Sequence, residues 1–309
     1  KNYFAQSKSP EYSYPKYRYY KYTGFIEPDE VFHANGINNL NDLKAFAQKW
    51  YGTEESDNPC SPGNALFKFV SYHFIDRELP YDKLIISNYF DDDLYNPHYD
   101  IYDYFETGLG KMMKITKPLS TTEGMHIFIN YSKQEMPYNP EMRKHLNVRI
   151  VETTEFTKSN EKYADFRQYA SNGIIHPIDK ILIYNEDEMV GNILNERMRI
   201  DLCSLLPELS SNNIRFNNII QQCLPFGYCK NLKNNSFEED FQYYRTGFRY
   251  FNDEIALKGM YDFSIKLPPV PARTYEIRID ACLLDNHVAD IIQVYLDDKI
   301  CGIPIDMHL

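Results

Sequence analysis

Chemistry in this chain would have to come from a few local concentrations of polar side chains. Asp91-Asp92-Asp93 is the densest acidic run. Calcium takes several oxygen ligands, but the run lacks the alternating aspartates, the glycine and the bidentate glutamate of a calcium loop. A solvated acidic loop is the simpler reading. The eight histidines show no HxxxH or HxH spacing, so no zinc site and no cofactor are expected. Gly108-Leu109-Gly110 comes nearest to a phosphate loop and lacks its further glycine and Lys-Ser/Thr pair. No nucleophile elbow or dinucleotide turn is present. Glycoside hydrolysis needs two carboxylates across a cleft. With 44 acidic residues a chance pair is expected, so a glycoside hydrolase stays a minor alternative and no catalytic residue is assigned.

Recognition is better supplied. The chain holds 27 Tyr and 19 Phe but one Trp. Tyr joins a flat apolar face to a hydroxyl, which suits sugar and protein surfaces. Tyr95, Tyr99, Tyr102 and Tyr104 lie among Asp91, Asp93, Asp100 and Asp103, and Tyr243-Tyr244-Arg245 forms another cluster. The competing reading is that many of these rings are core with a wet edge. Tyr72-His73 completes the candidate binding set. His73 falls on an apolar helical stripe, so burial should hold it neutral and hydrogen-bonded, a structural role ahead of partner contact. His176, beside Pro177, is read the same way.

The charge of -11 argues against nucleic acid, whose phosphates demand clustered Lys and Arg. No apolar run approaches the length of a membrane span, and the chain reads as soluble. The six cysteines show no CxxC spacing. Cys223 and Cys229 bracket LPFGY, so a local bridge is conceivable, but buried or partly exposed free thiols are favoured.

These side chains need a scaffold. Tyr22 to Ile26 alternates as a strand, and Pro28-Asp29 ends it before a short helical turn to His33. A helix is predicted over Leu40 to Tyr51, capped by Asn38 or Asn39, with Leu40, Leu43, Phe46, Ala47 and Trp50 on one stripe. Ser61-Pro62 reads as the next helix start, with Leu66, Phe69, Val70, His73 and Phe74 on one side. Asn88 to Glu106 reads as a long surface loop. Strands are expected at His126–Tyr131, at Leu146–Val151, and from the Asn172-Gly173 turn through Tyr184. These pieces make an α+β domain over 1–185. Leu194, Met198, Leu202, Leu205, Leu206 and Leu209 predict a helix broken by Pro207, within a connector over 186–234. Beyond it, period-two alternation at 261–267, 275–279 and 292–305 predicts an antiparallel β-sandwich, jelly-roll-like, over 235–309. Its strands are few for a full sandwich.

Three segments, YTGFIEPDEVF from Tyr22, NALFKFVSYHF from Asn64 and NGIIHPIDKILIY from Asn172, resemble in order and spacing the bacterial fasciclin domain. The first resembles the family's first box, Tyr72-His73 its Tyr-His pair, and Asn172–Lys180 its second box. The run LPPVPARTYEIRIDA with VYLDDKICGIPIDM resembles the galactose-binding-like sandwich appended to such domains in surface lipoproteins of the Bacteroidetes type. The resemblance implies a sheet wedge with packed helices, adhesion or ligand binding without catalysis, and an extracytoplasmic place at the outer-membrane surface or in the periplasm. A lipid anchor upstream of Lys1 is implied as well. The expected partner is a surface protein, with capture of a glycan for polysaccharide uptake as the alternative.

Overall fold

The computed structural model describes residues 2–3, 15, 17–53, 56–85, 100–119, 126–134, 137, 139–152, 169–215, 221–235, 240–245, 253–256, 262–279 and 291–306. The chain divides into two compact units, Lys1–Pro271 and Ala272–Leu309. The architecture is mixed α+β, with several antiparallel sheets and few helices.

In the first unit, Asn2–Tyr3 (β1) pairs with Tyr17–Arg18 (β2). Tyr22–Ile26 (β3) leads into the helices Asp29–Ala34 (α1), Leu40–Tyr51 (α2) and Ala65–Tyr72 (α3), and then Phe74–Ile75 (β4). An antiparallel meander follows: Ile101–Glu106 (β5), Met112–Lys117 (β6), Ile127–Ile129 (β7) and Val148–Ile150 (β8). Tyr169–Ala170 (β9) and Gly173–Pro177 (β10) return the chain to its start, where the sheet order is β4-β3-β10-β9. Strands β3 and β10 run parallel, in register from Tyr22 opposite Gly173 to Ile26 opposite Pro177. A Cβ at residue 173 would lie 2.1 Å from the Tyr22 carbonyl oxygen, so only glycine allows this approach.

Single bridges, Ile75 to Thr107 and Ile150 to Ile178, join the two four-stranded sheets at both margins. Between them lies one apolar cluster that includes Phe25, Tyr72, Ile75, Phe105, Met113, Ile115, Ile129, Val148 and Ile178. The outer side of β5 and β6 is covered too. Tyr102, Tyr104 and Met112 join Ala47, Phe69, Ile181, Ile183 and Met189 in a second cluster under the helices. The apolar side chains of this unit thus fill more than one interior. Phe25 and Ile181 belong to different clusters, Tyr184 packs against both, and Val70 is 49% exposed.

Local chemistry explains the helix boundaries. Asn39 caps α2 by accepting from the amides of Asn41 and Asp42, at 2.9 and 3.1 Å. Helix α3 begins not at Ser61-Pro62 but after Asn64, whose side chain accepts from Leu66 and Phe67. Along it Ala65, Phe69 and Tyr72 face inward and Val70 outward.

The later elements are Glu186–Glu188 (α4), continued as a wide turn over Met189–Ile193, and Pro207–Ser211 (α5). Strands Gln221–Leu224 (β11), Leu232–Asn234 (β12), Phe241–Arg245 (β13), Asp253–Ala256 (β14) and Phe263–Ile265 (β15) complete the unit. Pro207 starts a helix where it was expected to break one, because the first helical position needs no amide donor. Residues expected in a helical connector share a third cluster with residues expected in a sandwich: Cys203, Leu206, Leu209, Leu224, Tyr228, Phe241 and Tyr243. Residues 273–279 form no strand despite their alternation.

In the second unit, Ile291–Leu296 (β16) and Lys299–Asp306 (β17) form a hairpin. Asp297 and Asp298 turn it with positive φ of 48° and 61°, the handedness a two-residue hairpin requires. Ile291, Tyr295, Ile300 and Ile303 are exposed on it.

Candidate functional site

The Tyr-His pair lies inside the protein. The Tyr72 hydroxyl donates to the Met112 carbonyl at 3.2 Å and accepts from Asn130 Nδ2 at 2.9 Å. Burial pushes its pKa well up, only partly offset by the Asn130 bond. His73 ends α3, with Nδ1 2.8 Å from the Phe69 carbonyl and Nε2 2.9 Å from Glu27 Oε1. Both partners are acceptors, so both ring nitrogens must donate, and that is the imidazolium. Burial alone would lower the His73 pKa. The Glu27 charge, its hydrogen bond and the Phe69 carbonyl outweigh burial, and the net shift is upward. The expected neutral His73 is thus corrected, while its interior place agrees with the structural reading. His176 is also interior, accepted by the Leu79 carbonyl at 2.8 Å, and burial lowers its pKa.

The aromatic clusters resolve differently from their expected loop setting. Tyr95, Tyr99, Asp91 and Asp93 lie outside the described residues. Tyr102 and Tyr104 sit on strand β5, not on a loop, and are 8% and 6% exposed. Their hydroxyls donate to the Arg197 carbonyl at 3.0 Å and to Glu196 Oε1 at 2.8 Å. Both faces of β5 are covered, so alternation here does not produce a wet side. Tyr243 is fully buried, its hydroxyl 3.3 Å from both the Arg215 carbonyl and Asp253 Oδ2. Tyr244 is half-buried beside it and accepts from Gln221 Nε2 at 2.7 Å.

Asp201, Cys203 and Asp253 bring their ligand atoms within 4.8 Å of one another. The Arg215 guanidinium already fills that space. Its Nε donates to Asp253 Oδ2 at 2.7 Å, its Nη2 to Asp201 Oδ2 at 2.8 Å and its Nη1 to Ser204 Oγ at 2.8 Å. This buried cluster is a tie between elements, with both carboxylates paired to one resident cation. Among the described residues no disulfide is present, so Cys223 and Cys229 form no local bridge.

A tyrosine strip lies on the surface of this unit. Tyr17, Tyr19, Tyr20 and Tyr22 are 39–48% exposed. The strip is pinned. The Tyr19 amide donates to Asn212 Oδ1 at 2.7 Å, and Asn212 Nδ2 returns a bond to the Tyr19 carbonyl at 3.3 Å. Arg18 donates to the Gly227 carbonyl at 3.0 Å, and its guanidinium lies 5.0 Å from the Tyr20 ring centroid. Tyr19, Tyr20 and Tyr22 wall a recess of about 70 Å³ whose other sides are Asp76, Pro207, Glu208, Ser211 and Lys230. Sequence reasoning missed this strip, although tyrosine is crowded in the run YSYPKYRYYKY that leads into it. Glu208 and Lys230 carried no signal, because folding alone brings four distant stretches together.

No family model matches the chain, and neither a curated protein nor a solved structure does. Among the described residues, no helix is long and apolar enough to cross a membrane.

Proposed function

We propose that the chain is a non-enzymatic binding module of a cell surface, working by adhesion or ligand capture outside the cytoplasm. The observation that carries this reading is the pinned, exposed strip Tyr17, Tyr19, Tyr20 and Tyr22. Aromatic faces held in place bind with little ordering cost, since the backbone bonds have already fixed them. The buried constellations around His73 and Arg215 are closed by internal partners, which suits a scaffold better than an active site.

A fasciclin-like wedge is the finer fold reading. Its support is that the two boxes named from sequence lie side by side as β3 and β10, with the Tyr-His helix end hydrogen-bonded to Glu27 at the exit of β3. The reading is tested by attachment of the full chain to immobilised matrix proteins and polysaccharides. Replacing Tyr19, Tyr20 and Tyr22 together by Ser, with an unchanged circular dichroism spectrum, should abolish attachment. Undiminished attachment would refute it.

A further inference from the structure

We propose that the recess beside the tyrosine strip is a subsite for a neutral sugar unit of a polysaccharide, a deepening that rests on the binding-module reading above. The first reason is a pair of unmet hydrogen-bonding atoms. Glu208 Oε2 and Ser211 Oγ are buried and have no hydrogen-bond partner, although both residues line the recess. Glu208 and Ser211 are only 3% and 4% exposed, and leaving such groups unsatisfied is costly. A vicinal diol both donates and accepts, so one sugar edge can serve a carboxyl and a hydroxyl together.

The second reason is the wall. Tyr19, Tyr20 and Tyr22 line the same recess and are exposed, and a pyranose has an apolar C–H face between its hydroxyl edges. The third is charge. Lys230 is already paired with Asp76, and Lys21 holds Glu78 at 2.8 Å. Arg18 Nη1 stands 4.0 Å from Glu208 Oε1. An anionic ligand would have to break one of these pairs to find a cation, so selection favours an uncharged one. Burial also raises the Glu208 pKa, which lets this carboxyl share a proton with a hydroxyl more readily.

Size sets the kind of ligand. The recess, about 70 Å³, is well below the ~300–1,000 Å³ of sites that engulf small molecules. It accepts one edge of a sugar, so binding becomes measurable on a polymer that offers the edge repeatedly.

The experiment is affinity electrophoresis of the full chain in native gels cast with laminarin, galactomannan, dextran or polygalacturonate, beside attachment to collagen and fibronectin coats. At least one neutral polymer should retard the chain, and polygalacturonate should not. Tyr19→Ser with Tyr20→Ser should lower the apparent affinity at least tenfold. Glu208→Gln, which keeps the oxygen that accepts from the Lys230 amide, should lower it several-fold, and so should Ser211→Ala, which removes only an unpartnered hydroxyl. No retardation by any neutral polymer, or retardation that all these variants preserve, overturns the sugar subsite. Attachment to protein coats without retardation leaves the binding module standing and sinks only the subsite. Loss of both kinds of binding sinks both.

Discussion

Glu27 Oε1 lies 2.9 Å from His73 Nε2 and 2.9 Å from the amide of Leu182. One carboxylate oxygen thus ties the exit of β3 to the end of α3 and to the chain just beyond β10. The pair is almost fully buried, so its charges have little water to fall back on.

A pH dependence follows. The folded His73 pKa is raised, so its contribution is complete below the unfolded value near ~6.5 and is lost as pH rises through the folded value. His145 and His176, both lowered mainly by burial, give the opposite trend: their contribution is present above ~6.5 and lost as pH falls. The informative quantity is therefore the difference between wild type and Glu27→Gln. Urea unfolding should show a gap of about 3 kcal/mol near pH 6 that narrows toward pH 9. A gap independent of pH would contradict the imidazolium assignment.

His73→Ala leaves Glu27 buried without its cation and should cost a similar ~3 kcal/mol. Ligand binding by the remaining folded fraction should be unchanged, because the ring is 4% exposed and reaches no surface. A variant with wild-type melting temperature and lost binding would reverse this reading.

Gly173→Ala should destabilise by about 2 kcal/mol or more, since the methyl would meet a backbone oxygen that cannot swing aside. Thermal melting checks it. A neutral substitution would mean that β3 and β10 are not in close parallel register.

Arg215→Met should be the most damaging change in the later part of the first unit. It strands Asp253 and Asp201 beneath the surface, at a cost of about 3–5 kcal/mol. Limited proteolysis should then cut within 200–215 or 221–235 before 22–53 or 100–117. In the native wild type, Cys60 is exposed and should alkylate. Cys203 and Cys229, buried with raised pKa values, should react only after denaturation.

Much of the scaffold was legible locally. The bounds of α2 follow from Asn39 and its stripe, and the Asp297-Asp298 hairpin from its turn pair. Errors arose where one face of an element was assigned without knowing what covers the other. Tyr102 and Tyr104 read as loop binders because their acidic neighbours look wet, yet a second apolar layer closes over β5. Val70 shares helical spacing with Leu66 and His73, yet the side the core covers is centred on Ala65, Phe69 and Tyr72. Pairing of Tyr22–Ile26 with Gly173–Pro177 spans some 150 residues of chain, beyond any local pattern. The Glu27 partner of His73 was hidden for the same reason, as was the role of Glu208.

Nitration mapping of tyrosines by mass spectrometry, with and without whichever neutral polymer or protein coat binds, tests the central claim most directly. Tyr19, Tyr20 and Tyr22 should be protected by saturating ligand, while Tyr275 and Tyr295, exposed in the second unit, go on reacting. Equal nitration of the strip in the bound and free protein would contradict recognition through these tyrosines.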